Sequence, residues 1–391
     1  MEKNLYADYN ASTPLLPEVR DYLIERLKSG DFANPNSHHA LGKRLLGGIE
    51  RCRELCAREL GVNPFEIVFN ASASEGVATV FNSLPRRESA KRDTLLISAI
   101  EHPAVIKSAK ALEALEGYRV QMIRVTESGT VDLSSLREQL NSNRVALVAV
   151  MAANNENGIV QPISLVSSLC HEFSVPLFCD TTQMIGKELM DLKAMDVDYA
   201  VLSSHKIGAL IGTGILYVKK PKELRPLIYG GGQEHSLRSG TQNYIGIEAI
   251  TLALISMHER LRRGDHLRLR ELQLAFEREL LQEDTNVLII GEKSLRLAGT
   301  TMVARAGLFA QAIQIELENK GIYISTTAAC SDAKATPSYV LQAMGIKDEV
   351  ARGAVRIGMG ICEVETAKES YQRIKDALLY AYQKLQQIRL R

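Results

Sequence analysis

The segment 196–218, DVDYAVLSSHKIGALIGTGILYV, sets a lysine where lysines can do covalent chemistry. An apolar run from Tyr199 to Leu202 gives way to Ser203, Ser204, His205 and Lys206. A bend broken by Gly208, Gly212 and Gly214 then leads into a β-branched and aromatic run, Ile215 to Val218. This reads as strand, polar turn, strand. A lysine at the end of a buried strand has little water around it, which favours the neutral amine and its condensation with an aldehyde. Lys206 is therefore a candidate to carry pyridoxal phosphate (PLP) as a Schiff base, the alternative being an ordinary surface lysine after a strand.

Other polar groups recur at the ends of apolar strands. Strand patterns at 66–70, 94–99, 118–125, 144–151 and 175–179 alternate with helical patterns at 104–116, from about Leu133, and at 163–172. After the first strand, residues 71–76 (ASASEG) lead directly into a helix. They offer free backbone N–H groups and hydroxyls to an anion, or serve simply as a serine-rich cap. His102, Asn155, Asp180, Gln183, His205 and Lys206 all stand at strand carboxyl ends, where open α/β sheets place their ligands. They are expected to meet in one pocket. Cys330 lies in a small, polar stretch, Ser325 to Lys334, that reads as a loop from which a thiol can reach solvent.

The elements that position these groups need more than one core. A chain of 391 residues exceeds the size at which one core keeps growing, so two domains are expected. The first spans 16–257, and the second, a smaller α+β unit, takes 1–15 and 258–391 with a cysteine loop at about 325–338. Val19, Leu23 and Leu27 are expected on the buried face of a first helix. A second helix should run from about Leu41 to Leu60, with Gly61 as its stop. A charged helix is predicted at 258–281. Strands at 287–290, 300–305 and 321–325 are interleaved with a helix near 309–319. A last helix from Glu363 to about Arg389 sets Ala367, Tyr371, Ile374, Leu378, Tyr382 and Leu385 on one face. The net charge is +1, with 46% hydrophobic and 24% charged residues and no basic block, so neither nucleic acid nor an anionic membrane is an implied partner. No run of 18 apolar residues and no signal-type start occur, which makes the cytoplasm the expected compartment. Six cysteines in a chain of this length do not form a disulfide framework. Cys52 and Cys56 lack a second ligand pair, so no metal is expected, and Cys170 and Cys179 are expected to be buried and inert.

In this order, YADYNASTP (6–14), NPNSHHALG (34–42), FNASASEG (69–76), EHPAV (101–105), NNENG (154–158), DTTQ (180–183), SSHK (203–206), GGGQEHSLRSGTQN (230–243), TTAACSD (326–332), PSYVLQAMG (337–345) and VRIGMG (355–360) resemble the cysteine desulfurases of the NifS/IscS type. These belong to the class-V aminotransferases, within the aspartate-aminotransferase-like, fold type I PLP enzymes. The resemblance implies an α/β fold: a large domain with a mixed, mostly parallel seven-stranded sheet between helices, and a smaller α+β domain. It implies desulfuration of L-cysteine to L-alanine, with a persulfide on Cys330 handed to a sulfur acceptor or iron–sulfur scaffold protein. Lys206 would hold the cofactor and shuttle the substrate Cα proton, His102 would stack on the ring, and Asp180 would pair with its pyridinium nitrogen. Gln183 and Asn155 would orient ring and substrate. Ala73, Ser74, Ser203 and His205 would hold the phosphate together with Thr241 from the other subunit of a homodimer, and Arg356 would clamp the substrate carboxylate.

The chain departs from that pattern at Ala209-Leu210-Ile211, where a glycine–proline pair is usual, and at Ser74, Val77, Asn157 and Thr326-Thr327-Ala328. None of these removes a named catalytic group. Two other readings remain open at this stage: a PLP-dependent cysteine, cystine or selenocysteine lyase, and a non-catalytic dimeric scaffold for a sulfur-accepting protein.

Overall fold

The computed structural model describes residues 4–30, 32–84, 92–326 and 337–389. Its elements in chain order are β1 (Leu5–Tyr6), α1 (Pro17–Lys28), α2 (Ala40–Leu60), β2 (Ile67–Asn70), α3 (Ala73–Ser83), β3 (Thr94–Ser98), α4 (Pro103–Glu116), β4 (Arg119–Ile123), α5 (Leu133–Ser142), β5 (Val145–Ala149), α6 (Ile163–Glu172), β6 (Leu177–Asp180), α7 (Leu192–Met195), β7 (Tyr199–Ser203) and β8 (Gly214–Val218). Then come α8 (Tyr244–Arg262), α9 (Asp265–Glu283), β9 (Val287–Ile289), β10 (Thr300–Arg305), α10 (Ala310–Glu318), β11 (Ile322–Tyr323), β12 (Ser325–Thr326), α11 (Tyr339–Ala343), α12 (Asp348–Ala351), β13 (Ala354–Gly358) and α13 (Ala367–Arg389).

Among the described residues, seven strands form one sheet in the order β2-β8-β7-β6-β5-β3-β4. Only β8 runs against the others, pairing antiparallel with both β7 and β2. This is the mixed, mostly parallel sheet expected. β3, β6 and β8 are buried along their whole length, as strands covered by helices on both faces must be, and they read as near-continuous apolar runs. A second, antiparallel sheet has the order β12-β13-β10-β9. Beside it α13 buries Ala367, Tyr371, Ile374, Leu378 and Tyr382, the face its periodicity predicts, with Leu385 partly buried.

The N-terminal segment links the two sheets. β1 pairs parallel with β11, and Asp8 bridges to Gly358 at the end of β13. Residues 10–16 then reach the turn that follows β7: Thr13 N–H donates to the His205 carbonyl at 2.9 Å, and Leu16 N–H to the Gly208 carbonyl at 3.0 Å. No helix of the described residues is long and apolar enough to cross a membrane.

Two sequence expectations fail for physical reasons. Leu27 is 57% exposed although Val19 and Leu23 are buried. At 3.6 residues per turn, a spacing of four drifts round the helix, and eight residues place Leu27 roughly 80° from Val19. The charged helix predicted to begin at 258 does not begin there, because α8 continues to Arg262 and the chain turns only at Gly264 before α9. Two of the polar groups at this point, His258 and Glu59, are buried against each other. His258 is 1% exposed, its Nδ1 lies 3.1 Å from Glu59 Oε2, and Arg262 reaches the same oxygen at 2.5 Å.

Candidate active site

The strand ends and the start of α3 open on one cavity of about 360 Å³. Its walls bring together Ala73, Ser74, His102, Asn155, Asp180, Gln183, Ser203, His205, Lys206 and Arg356. Thr241 is not among them; it lies exposed in a separate cleft with Arg238 and Asn243. Cys330 lies outside the described residues.

Lys206 closes the single helical turn Ser204–Lys206 at the end of β7. Its Nζ donates to the carbonyls of Asn10 (2.8 Å) and Ala11 (2.7 Å). Burial lowers its pKa to about 8, with Arg356 pushing the same way and Asp180 and Asp8 opposing. The turn is clamped from both sides: Thr13 Oγ1 donates to the Lys206 carbonyl at 2.7 Å, and Ser204 Oγ donates to the Leu210 carbonyl. The Ala209-Leu210-Ile211 departure therefore leaves a closed turn, with Ala209 buried and Ile211 facing outward.

The remaining walls carry complementary groups. Asp180 ends β6, and its Oδ1 accepts from Thr182 N–H at 2.9 Å. His102 caps α4, with Nδ1 accepting from Ala104 N–H at 3.1 Å. Its pKa falls because the surrounding protein desolvates the ring; Asp180 opposes that shift and Lys206 adds to it. His205 is likewise lowered by burial and by Lys206, so both imidazoles are held toward the neutral form. Behind His102 the Glu101 carboxyl is buried, accepting at Oε1 from Ser98 Oγ (2.5 Å) and Met151 N–H (2.6 Å). Burial, with Asp180 adding to it, pushes Glu101 up to about 8, so this acid rests protonated at neutral pH. Ser72 caps the 11-residue helix α3 by accepting from Glu75 N–H at 3.2 Å. The first-turn N–H groups of Ala73 and Ser74 have no acceptor within the helix and border the cavity.

Arg356, on β13, already has partners. One terminal nitrogen donates to Asp8 Oδ1 at 2.6 Å and the other to the Asn155 carbonyl at 2.9 Å. The sequence reading foresaw a guanidinium for an incoming carboxylate and did not foresee Asp8 as its neighbour. It also gave no role to Asn10, now the hub of the site. The Asn10 carbonyl accepts from Lys206 and, at 2.9 Å, from Gln183 Nε2, and its side chain binds Lys187, Thr300 and the Asn155 carbonyl. The only sequence signal was its place in a turn-forming cluster, Asn10 to Pro14. Cys170 and Cys179 are buried as expected, which raises both thiols.

The family model described as aminotransferase class-V matches residues 5–368. The chain belongs to that family. Within it, the chain is 32% identical to cysteine desulfurase IscS of Dictyoglomus turgidum over 392 aligned residues, covering 99% of this chain and 97% of that protein. Among solved structures, a NifS-like protein superimposes with a TM-score of 0.87 at 31% identity, covering 97% of this chain and all of the other. A second, SspA in complex with cysteine, gives a TM-score of 0.78 at 30% identity over 91% of this chain and 98% of that one. This class-V aminotransferase is thus of the NifS/IscS type.

Pyridoxal 5′-phosphate is the cofactor of such enzymes, and the residues present fit it. Asn155 Oδ1, Thr182 Oγ1 and Arg356 Nε are buried polar atoms without a hydrogen-bond partner among the described residues, and all three residues line the cavity. Buried polar atoms left in this way call for a polar occupant. The start of α3 suits a phosphate, Asp180 suits a pyridinium nitrogen, and Lys206 suits an aldehyde.

Proposed function

We propose that this class-V aminotransferase is a PLP-dependent cysteine desulfurase. It would convert L-cysteine to L-alanine and leave a persulfide on Cys330 that passes to a sulfur acceptor. The observation that carries the reading is the meeting of Lys206, its pKa drawn down to about 8, with Asp180, His102 and Arg356 around one cavity. When bound, the cofactor supplies an electron sink for charge developing at the substrate Cα.

The chain's own groups do the rest. Ala73, Ser74, Ser203 and His205 hold the phosphate, Asp180 holds a proton at the ring nitrogen, and His102 covers the ring face. Asn155 and Arg356 bind the substrate carboxylate, and the Lys206 amine moves the Cα proton. Cys330 takes the sulfur: its thiolate attacks the substrate sulfur, the S–S bond forms as the C–S bond breaks, and the carbon keeps the bonding pair and takes up a proton to give alanine.

Further parts of the proposal are a homodimer in which Thr241 completes the partner's phosphate site, a protein acceptor of the iron–sulfur scaffold kind, and a cytoplasmic setting. It also includes the division at 16–257 against 1–15 with 258–391. The test incubates wild type and Cys330→Ser with L-cysteine and PLP and measures alanine, pyruvate and protein-bound persulfide together. Desulfuration gives alanine without pyruvate, one added sulfur on the Cys330 peptide, and an inactive mutant. Pyruvate, ammonia and sulfide from an unimpaired mutant would instead mark a lyase.

A further inference from the structure

A second lysine lies just behind the cavity wall. Lys187 is 6% exposed and is not one of the cavity-lining residues. Its Nζ donates to Gln183 Oε1 at 3.1 Å and to Asn10 Oδ1 at 2.8 Å. Its position is built in. Gly186, with φ at +70°, packs so closely on Ile207, next to Lys206, that a Cβ there would lie 2.6 Å from Ile207 Cγ2. Lys187 N–H also donates to the Met184 carbonyl at 3.0 Å.

Burial draws the Lys187 pKa well below its ordinary value. Lys206 and Arg356 add to the shift, and Asp8 opposes it. Charged or neutral, the amine has the two N–H groups that these two acceptors need.

We propose that Lys187 is a positioning residue that acts through Gln183. Lys187, donating to Oε1, and the Asn10 carbonyl, accepting from Nε2, together fix which way round the Gln183 amide sits, because the reversed amide would set Oε1 against that carbonyl. With the oxygen held on Lys187, away from the cavity, the amide presents only donors on the other side. One of its N–H groups goes to the Asn10 carbonyl, which also holds Lys206, and the other remains for the cofactor's phenolic oxygen. A donor there favours the ionised oxygen. Loss of Lys187 leaves Oε1 without its donor and the amide held by the Asn10 carbonyl alone, so the N–H aimed at the phenolic oxygen is no longer fixed.

The inference rests on the desulfurase reading, and its test separates the two. In the PLP-loaded protein, Lys187→Met keeps the length and apolar stem while removing the donor, and a site this buried accommodates methionine. The pH midpoint of the bound cofactor's absorbance should rise by about 0.5–1, as expected for loss of one favourable donor. The kcat for cysteine should fall on the order of tenfold or more, with KM within about threefold. Adding Lys187→Met to Gln183→Ala should lower kcat by less than about threefold further, because both act on one contact.

Independent, multiplying losses in the double mutant would overturn the inference. So would a midpoint and kcat within about twofold of wild type in Lys187→Met, or in Lys187→Leu should the methionine variant not fold. If wild type makes no alanine from cysteine, the desulfurase reading falls, while the absorbance midpoint still decides the role of Lys187.

Discussion

Lys206 rests its amine on two backbone carbonyls, and burial, with Arg356 adding to it, lowers its pKa to about 8. Only the neutral amine attacks an aldehyde. An ordinary lysine, with a pKa of about 10.4, is neutral in roughly one molecule in 250 at pH 8, whereas Lys206 is neutral in about half. The rate at which cofactor-free protein captures PLP into a borohydride-reducible form should therefore climb through pH 7–9 with a midpoint near 8 and then level off. A rate still rising tenfold per pH unit at pH 9.5 would show an ordinary lysine. At this scale the sequence was readable where a residue follows an apolar strand, as Lys206, Asp180, Asn155 and His102 do. It was silent on Asn10, Asp8 and Lys187. Asn10 acts mainly through a carbonyl, Asp8 pairs with an arginine 348 positions away, and Lys187 sits in a turn segment between Met184-Ile185 and Leu189-Met190 with no strand end to mark it.

At the scale of elements, the turn after β7 depends on how tightly the N-terminal segment packs on it. Gly208 has a φ of +78°, and a Cβ there would lie 2.6 Å from Leu16 Cγ and 2.9 Å from the Pro14 carbonyl oxygen. Gly212, four residues on, has a φ of +88° but nothing within 4 Å. Both alanine substitutions meet the left-handed penalty of about 1–2 kcal/mol. Gly208→Ala adds a clash with Pro14 and Leu16 of the N-terminal segment that carries Asn10, for a total on the order of 2–5 kcal/mol. Urea unfolding should show Gly208→Ala the less stable of the two, with weakened PLP retention, and Gly212→Ala should keep its cofactor. Equal losses would mean that the contact with residues 14–16 does not shape the turn. The alternation of strand and helix was legible because buried parallel strands read as apolar runs. The α8 boundary was not, because charge along a sequence marks a solvent-facing face only when the charges lack buried partners, and His258 has one in Glu59.

At the scale of the whole molecule, the arm at 230–243 is held rigidly and yet serves nothing in its own chain's cavity. Buried Glu234 accepts from Arg53 at 2.7 and 2.9 Å and from Phe69 N–H at 2.8 Å. It sits in a run of three non-glycine residues, Glu234, His235 and Ser236, with φ of 50°, 55° and 66°. Such backbone persists only where its surroundings impose it. This arm carries Thr241 outside the cavity, while Tyr229 (75% exposed), just before it, and Ile211 (83% exposed), beside Gly212 of the Thr241 cleft, leave apolar surface uncovered. The proposed second copy, covering that surface and receiving Thr241, would account for both features. The consequence can be measured in mixed dimers of Lys206→Ala with Thr241→Ala at limiting PLP. If Thr241 serves the partner, one of the two sites has Lys206 from one chain and Thr241 from the other, and the mixture should recover about half of wild-type turnover per mixed dimer. If Thr241 serves its own chain, no complete site exists and turnover per mixed dimer stays at about half that of the Thr241→Ala homodimer. A fully active monomer in sedimentation would remove the shared site altogether.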